Sequence, residues 1–592
     1  MNIIPKPKKF VEKATPLSLA GRNITVDPSC DTRIVRAAHT LRRAIEKRSK
    51  SFVTVRVSHT PAEGDIFIIA ESETGDAYTV SADNTGVTVS GEGMRGAFYG
   101  IQTLLQMIKL EDSVEMKEFE IEDAPDFADR GFYHDVTRGR VPKLETLKSL
   151  CDTLAYFKIN TLQLYIEDAF DFAELDGVMK KDDVLTAEEI SELDSYCYDR
   201  FVELVPSIST FGHLYNLLQS EKYAHLCEYE DYKPTQHYWI EKMQHHTIDV
   251  SNPESIEVIK SLIDQFVGLC RSDKFNICCD ETFDLCRGRN AGKDAGEEYF
   301  KFVSQIIEHV KSHGKTVMMW GDIVLHHPEK MKLLPEDVIM LNWCYMKEPP
   351  EENVKTFAES GLTQYVCPGT SSWNRFIEET DRSYGNISGM AKYGYENGAV
   401  GFLNTNWGDY GNICPLVGAR YGLVLGAERG WNADGGELGE DFERAFTILV
   451  YRANELNPDY GNIVPLLREI ESCERSAEWA QFIPWYSANY IEGKKTPLEA
   501  DEAKCRENIE KCTDIIAKLK EMNRWDVDLQ ELALAAGGIR LMNRLYLHLA
   551  GYDDKKVEYA DWLRDYRCAW LRTSKPSQIS LIEEFIETVC SL

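Results

Sequence analysis

The sequence predicts an α/β protein built around a (β/α)8 barrel, with an N-terminal α+β accessory domain and a C-terminal helical region. From about residue 127, short apolar runs alternate with helix-like stretches eight times, the pattern of an eight-stranded barrel. From about residue 430 the strand-like runs stop and helical patterns follow. These changes predict three domains, at 1–125, 126–430 and 431–592.

The N-terminal stretch mixes both element types. Strands are predicted at Asp65–Ala70, Ala77–Ser81 and Val87–Ser90. Apolar residues at helical spacing predict helices at Ile34–Arg48 and Gly96–Ile108. No cluster of catalytic residue types occurs there, so we predict a structural accessory domain.

The eight predicted barrel strands are short apolar runs followed by polar residues. They are Gly131–Val136, Thr161–Ile166, Val202–Ile208, Phe275–Cys279, Thr316–Trp320, Val338–Trp343, Gln364–Cys367 and Val400–Asn404. A doubly wound open sheet is the rival architecture, but no glycine-rich phosphate loop follows any of these strands. Eight units of this size favour a TIM barrel.

The region after the barrel reads as helices at Glu440–Asn454, Ala500–Asn523, Asp528–His548 and Ser577–Val589. We interpret it as a packing domain, because no second set of catalytic residue types accompanies these helices.

Composition excludes several classes of partner. A net charge of −31 argues against nucleic acid and against anionic membranes, since both need a basic surface. No run of about 18 apolar residues occurs, and the N-terminus lacks the apolar core of a signal peptide. The 16 cysteines then read as reduced core residues, and we expect a cytoplasmic protein. A homodimer is allowed but not indicated.

No metal and no cofactor are predicted. Cys278 and Cys279 are adjacent strand residues that point to opposite faces, and no CxxC pair occurs. The histidine pairs at 245–246 and 326–327 are adjacent, which is not the spacing that puts two ligands on one helical face.

The most informative stretch is Phe275–Cys279, an apolar run that ends in Asp280 and Glu281. It predicts a buried strand that delivers two acids at its C-terminal end, where barrel enzymes place catalytic groups. The alternative is that these adjacent acids merely begin a solvated turn.

The other predicted strands also end in polar or aromatic residues, and the loops at 165–186 and 211–252 are long enough to wall an active-site mouth. These strand-end residues are Asp135, Arg138, Glu167, Asp168, His213, Trp320, Asp322, Trp343, Tyr345, Trp373, Trp407 and Asp409. Indole faces stack on the apolar face of a sugar, while carboxylates and a forked guanidinium bind its hydroxyls. The set therefore predicts a carbohydrate pocket.

With these strand-end residues, the chain resembles the family-20 glycoside hydrolases, the β-N-acetylhexosaminidases. Asp280–Glu281 match the family's Asp-Glu pair, although cysteines 278 and 279 replace the usual glycines. RGFYHDVTR (130–138), NTLQLYIED (160–168) and PSISTFGH (206–213) resemble its motifs on strands one to three, with Ser209 in place of a usual acid. WGD (407–409) resembles the motif of strand eight.

Tyr78–Gln106 is similar to the family's N-terminal accessory domain, so the resemblance covers about 1–430. It implies exo-acting, substrate-assisted retaining hydrolysis of terminal β-linked N-acetylglucosamine or N-acetylgalactosamine, through an oxazolinium intermediate. Glu281 would be the acid and then the base, and Asp280 would orient the 2-acetamido group.

The resemblance also implies roles in binding. Arg138 would hold the 3- and 4-hydroxyls, and Trp407 with Asp409 would close the pocket around the 4- and 6-hydroxyls. Trp320, Trp343 and Trp407 would enclose the N-acetyl methyl group and the sugar face.

Three further residues complete the expected site. Tyr345 is the first candidate for the tyrosine that holds the acetamido oxygen, and Tyr365 the second. Asp168 and His213 are predicted to pair beside Glu281. The alternatives left open are a two-carboxylate retaining glycosidase acting on another sugar and a non-catalytic carbohydrate-binding protein.

Overall fold

The computed structural model describes residues 2–244, 246–451, 461–523 and 525–592. Its first unit is a seven-stranded sheet in the order β1-β7-β5-β6-β4-β2-β3, accompanied by two helices. The strands are β1 (Lys9–Ser18), β2 (Ile24–Val26), β3 (Val55–Val57), β4 (Ile66–Ala70), β5 (Tyr78–Asp83), β6 (Gly86–Gly91) and β7 (Glu115–Asp123), and the helices are α1 (Thr32–Ser49) and α2 (Met94–Leu110).

The sequence had indicated β4, β5, β6 and both helices, but not β1, β2, β3 or β7. Residues 11 to 16 of β1 are all exposed, so the strand lacks the alternating buried apolar face that would have indicated it in the sequence. The short strands β2 and β3 carry too few residues for a periodic pattern to develop.

The second unit is the expected (β/α)8 barrel, with all eight predicted strands present. They are β8 (Asp129–Asp135), β9 (Thr161–Tyr165), β10 (Glu203–Val205), β11 (Lys274–Asn276), β12 (Thr316–Trp320), β13 (Ile339–Trp343), β14 (Thr363–Cys367) and β15 (Gly401–Asn406). They form one parallel sheet, and a bridge between Ser207 and Asn276 joins its two ends. Every strand therefore directs its C-terminal end to the same mouth.

Helices follow the strands around the barrel. They are α3 (Leu144–Tyr156), α4 (Ala187–Tyr198), α5 (Tyr215–Leu218), α6 (Tyr238–Met243), α7 (Pro253–Phe266), α8 (Ala295–Ser312), α9 (Asp322–Leu325), α10 (Glu352–Ser360), α11 (Thr380–Glu396) and α12 (Arg420–Trp431). Helix α4 begins with a capping box, since Thr186 and Glu189 each bond the backbone N–H of the other.

The C-terminal region is helical, as expected. Its helices are α13 (Glu440–Tyr451), α14 (Val464–Glu474), α15 (Trp479–Tyr486), α16 (Glu502–Asn523), α17 (Val527–Leu549), α18 (Ala560–Thr573) and α19 (Ile579–Val589). The sequence did not indicate α14, α15 or α18. Prolines at 465 and 484 argue against a helix in the sequence of α14 and α15. Pro465 lies in the first turn of α14, where proline is tolerated, and Pro484 lies inside α15.

Two sequence predictions reach beyond the described residues. The last three residues of the helix predicted at 440–454 lie outside them, as does His245 of the first adjacent histidine pair. Within the described ranges, no helix combines the length and apolar character that a bilayer crossing demands.

The C-terminal helices brace the loop that follows β8. Arg140 on this loop donates to the Tyr566 hydroxyl at 3.1 Å, and its guanidinium lies 4.0 Å from the centre of the Trp570 ring. The backbone N–H of Lys143 donates to Thr573 O at 3.0 Å. Because Arg138 lies on the same loop, the helical region helps to hold one wall of the barrel mouth.

Candidate active site

The chain turns abruptly after β11, which ends at Asn276 and is shorter than the predicted strand. The Asn276 side chain accepts a hydrogen bond from the Cys278 backbone N–H at 2.9 Å. Cys278, Cys279 and Glu281 have φ angles of 55°, 66° and 50°, in the left-handed region that favours glycine. Each such non-glycine residue costs on the order of 1–3 kcal/mol, a cost typical of functional sites. The turn presents Asp280 and Glu281 at the barrel mouth.

His213 lies between the two acids. Its Nε2 is 3.4 Å from an Asp280 carboxylate oxygen and 3.3 Å from one of Glu281. Burial opposes charging of the imidazole, but the Asp280 and Glu281 carboxylates outweigh it and raise the pKa of His213 to about 10. The side chain is therefore an imidazolium at neutral pH.

Asp322 is a third buried carboxylate at the same place. Its Oδ2 accepts a 2.9 Å hydrogen bond from the Glu281 backbone N–H, while Oδ1 has no hydrogen-bond partner among the described residues. Burial, and then the nearby negative charge of Asp280, raise the pKa of Asp322 to about 7. A third acid with this pKa changes its charge in the physiological range.

Arg138 is buried among acids beside His213, with its guanidinium 3.5 Å from Nδ1 of that histidine. Its guanidinium nitrogens lie 3.2 Å from Asp409 Oδ1, 3.3 Å from Glu167 Oε1 and 3.5 Å from Asp135 Oδ2. Burial raises the pKa of Asp409 to about 6, although Arg138 opposes the shift. Asp135 also accepts hydrogen bonds from the backbone N–H groups of Arg138 and Gly408, which joins the ends of β8 and β15.

Asp168 does not have the partner that the sequence predicted. Its Oδ2 lies 2.7 Å from the Lys242 ammonium, and its Oδ1 accepts from the Thr137 hydroxyl at 2.9 Å. Asn216 also donates to this carboxylate. The carboxylate thus anchors Lys242 of the long 211–252 loop, while the carboxylates recorded beside His213 are Asp280 and Glu281.

Aromatic residues line the inside of the mouth, but at different depths. The Trp320 side chain is fully buried, 5.1 Å from the Tyr133 ring and 5.8 Å from the Trp407 ring between centroids. It therefore forms part of the floor. Trp343 and Trp373 are half-buried and flank the Tyr345 ring at 5.1 and 5.0 Å.

Geometry separates the two tyrosine candidates. The Tyr345 hydroxyl accepts a 2.7 Å hydrogen bond from Nε1 of Trp407, so it lies in the aromatic wall. The Tyr365 hydroxyl donates instead to Asp129, the first residue of β8. That residue is at the opposite end of the barrel from Asp280, which rules out Tyr365 as a site residue.

Three side chains of this site lie close enough together to be considered as metal ligands. Among the described residues, ligand atoms of His213, Asp280 and Glu281 lie within 4.8 Å of one another. A histidine must be neutral to ligate a metal, and the pKa of His213 near 10 keeps its imidazole charged. The cluster therefore fits ion pairing better than metal binding.

Asp322 was expected at the barrel mouth, because it follows Trp320 and a glycine at the end of a predicted strand. The structure adds Lys242, which the sequence did not indicate. Lys242 lies on a short helix of a long loop, and only the fold brings it to Asp168.

The chain matches the model of glycosyl hydrolase family 20, catalytic domain, over residues 127–400, and that of domain 2 of the same family over residues 1–124. Together these matches cover the accessory domain and most of the barrel.

Among relatives, a β-hexosaminidase of Porphyromonas gingivalis is 26% identical over 55% of this chain and 46% of its own length. A lacto-N-biosidase of Bifidobacterium bifidum is 21% identical over 59% of this chain and 29% of its own. The chain thus spans less than half the length of these two curated relatives.

Solved structures show the same fold. A chitobiase of Flavobacterium johnsoniae superposes with a TM-score of 0.65 at 16% identity, covering 99% of each chain. An exo-β-N-acetylglucosaminidase of Vibrio harveyi, solved with N-acetylglucosamine, gives 0.60 at 16% identity over 76% of this chain and 77% of its own.

Proposed function

Because the chain belongs to glycosyl hydrolase family 20, we propose that it is an exo-acting β-N-acetylhexosaminidase that removes terminal β-linked N-acetylglucosamine or N-acetylgalactosamine. The observation that carries this proposal is the placement of Asp280 and Glu281 on one strained turn, with His213 in contact range of both. Adjacent residues are an awkward source of two carboxylates flanking a glycosidic bond from opposite sides, since their Cα atoms are only about 3.8 Å apart.

In the proposed reaction, the carbonyl oxygen of the substrate's own acetamido group attacks the anomeric carbon. The bond to the leaving oxygen breaks, and Glu281 gives that oxygen its proton. Asp280 accepts the acetamide N–H and stabilises the oxazolinium ring as it becomes positive. Glu281 then removes a proton from water, which opens the ring with overall retention.

The other side chains bind and orient the sugar. Arg138 and Asp409 present a cation and an anion 3.2 Å apart, which suits hydroxyls that both donate and accept. Trp407 donates to the Tyr345 oxygen, which leaves the tyrosine proton for the acetamido oxygen. The half-buried rings of Trp343 and Trp373 supply apolar faces beside it.

Asp322 has a positioning role in this scheme. It holds the backbone of Glu281 by a hydrogen bond and places a second acid close to the acid/base carboxyl. Like charges disfavour one another, so an ionised Asp322 favours the protonated form of Glu281 that the first step requires.

The first test compares two aryl glycosides that differ only at the 2-position. The enzyme should release p-nitrophenol from the N-acetyl-β-glucosaminide and leave the plain β-glucoside intact, because the glucoside lacks the internal nucleophile. Glu281→Gln serves as the matched control for background hydrolysis. Sugar binding without turnover would instead identify a carbohydrate-binding protein.

A second test separates the proposal from a two-carboxylate mechanism. A thiazoline mimic of the cyclic intermediate should bind at least about 10²-fold more tightly than the product sugar, as transition-state-like ligands do. Asp280→Asn should weaken the mimic more than it weakens the product. Trapping of a glycosyl ester on an enzyme carboxylate would promote the two-carboxylate alternative.

We keep a cytoplasmic location and a homodimer as separate proposals. The location is supported by the cysteines, all of which are free thiols. Cell fractionation and the molar mass in solution would test the two proposals directly.

A further inference from the structure

Two helices on the outside of the barrel bring three metal-ligand side chains together. His309 and His313 are four residues apart at the end of α8, and Asp264 is near the end of α7. Nε2 of His309 lies 2.7 Å from Oδ1 of Asp264, and Nε2 of His313 lies 2.9 Å from the same oxygen. Histidines four residues apart put two ligands on one helical face, which the adjacent histidine pairs of this chain do not.

We propose that Asp264, His309 and His313 bind a divalent transition metal of the zinc type and clamp α7 to α8. Ligand atoms of all three lie within 4.8 Å of one another, and the two imidazole planes are 83° apart. Tetrahedral zinc with bonds of about 2.0–2.2 Å separates its ligand atoms by about 3.3 Å. Small rotations of the three side chains would therefore bring their ligand atoms to the spacing that zinc requires. The exposed side of the cluster leaves the fourth position to water.

The donor set selects the class of metal. Two imidazoles and one carboxylate suit zinc, copper or nickel, whereas calcium and magnesium prefer oxygen ligands. Without a metal, both imidazoles must donate to one carboxylate oxygen. A metal would replace these two hydrogen bonds by three coordinate bonds.

The location separates this site from the catalytic one. α7 leads to the start of β11 and α8 leads to the start of β12, so both helices end at the N-terminal face of the barrel. Asp280 and Glu281 lie at the opposite face, where the strands end. The metal would therefore act on stability and leave hydrolysis unchanged.

The test is calorimetric titration of the full chain with zinc chloride at about pH 7.5, where free imidazole is mostly neutral. Outer-shell partners of a metal ligand are themselves worth about 10- to 100-fold in metal affinity, so His309→Ala and His313→Ala should each weaken the site at least about tenfold. His225→Ala is the matched control, because His225 lies 2.8 Å from Glu254 as a similarly exposed pair outside the cluster.

Zinc should also raise the thermal unfolding midpoint of the wild type and of His225→Ala, but not of the two cluster variants, since only the folded chain assembles the site. Calcium should not compete. The proposal is overturned if zinc binds the wild type and both cluster variants equally, if it binds none of them, or if His225→Ala loses the site as well.

Discussion

The backbone N–H of Glu281 donates a 2.9 Å hydrogen bond to Oδ2 of Asp322, which joins the proposed acid/base residue to a buried carboxylate at the end of the neighbouring strand. The contact acts on the main chain at a left-handed residue, and the carboxylate can also act on the Glu281 side chain through its charge. These two effects can be separated, because asparagine keeps the acceptor oxygen and removes the charge.

Asp322→Asn should shift the basic limb of the kcat/KM profile to lower pH, by about one unit or less. The pKa of Asp322 is raised to about 7, so its negative charge develops as the pH rises through that value and favours protonated Glu281. The variant lacks this charge, so its Glu281 loses the proton at a lower pH than in the wild type. Asp322→Glu is the control that keeps the charge. An unchanged limb together with a lower rate would indicate a purely structural role.

The same substitution, Asp322→Asn, should increase the stability of the protein at alkaline pH. A carboxyl whose folded pKa lies above its unfolded value of 3.8 lets stability fall as the pH rises from that value to about 7. Asp322→Asn should therefore be more stable than the wild type near pH 8, and the difference should shrink toward pH 4. Denaturant unfolding at the two pH values measures this. A difference that does not depend on pH would contradict the assignment.

Glu281→Gln should lower kcat by about 10²–10⁴-fold on a disaccharide, because proton donation to the leaving oxygen is lost while the shape is kept. The loss should be smaller on an aryl glycoside with a good leaving group, which needs little protonation. Steady-state kinetics on both substrates provide the measurement. Equal losses would remove Glu281 from the role of general acid.

Arg138→Lys should raise KM by about 10- to 100-fold, since lysine keeps the charge but loses the fork that binds two hydroxyls. Arg138→Ala should in addition destabilise the fold by about 3–5 kcal/mol, because Asp135, Glu167 and Asp409 lose their buried cation. KM and the free energy of unfolding, measured on both variants, separate binding from stability. A lysine variant with unchanged KM would exclude the binding role.

The raised pKa of Asp409 predicts that sugar binding depends on pH. Its pKa is raised to about 6, so the carboxylate loses its charge as the pH falls through 6. Hydrogen bonds to a charged group are stronger by about 1 kcal/mol, and KM should rise about five- to tenfold below this pH. Asp409→Asn should have a high KM that no longer changes in this range. The same rise in that variant would assign the effect to another group.

The sequence by itself determined the barrel and the position of its chemistry. Strand runs and helix spacing are local patterns, and parallel strands of a barrel must end at one face. That rule alone places Asp280, Glu281, Arg138, His213 and Asp409 at a common mouth.

Only the tertiary structure decided which side chains contact one another. Lys242 reaches Asp168 from a loop 74 residues away, a contact that no local pattern encodes. Tyr365 belongs to a barrel strand as expected, yet its hydroxyl points to the opposite end of the barrel. Asp264 meets His309 and His313 because two helices pack side by side. Such pairings depend on packing between distant segments, whereas strand and helix signals depend on neighbours along the chain.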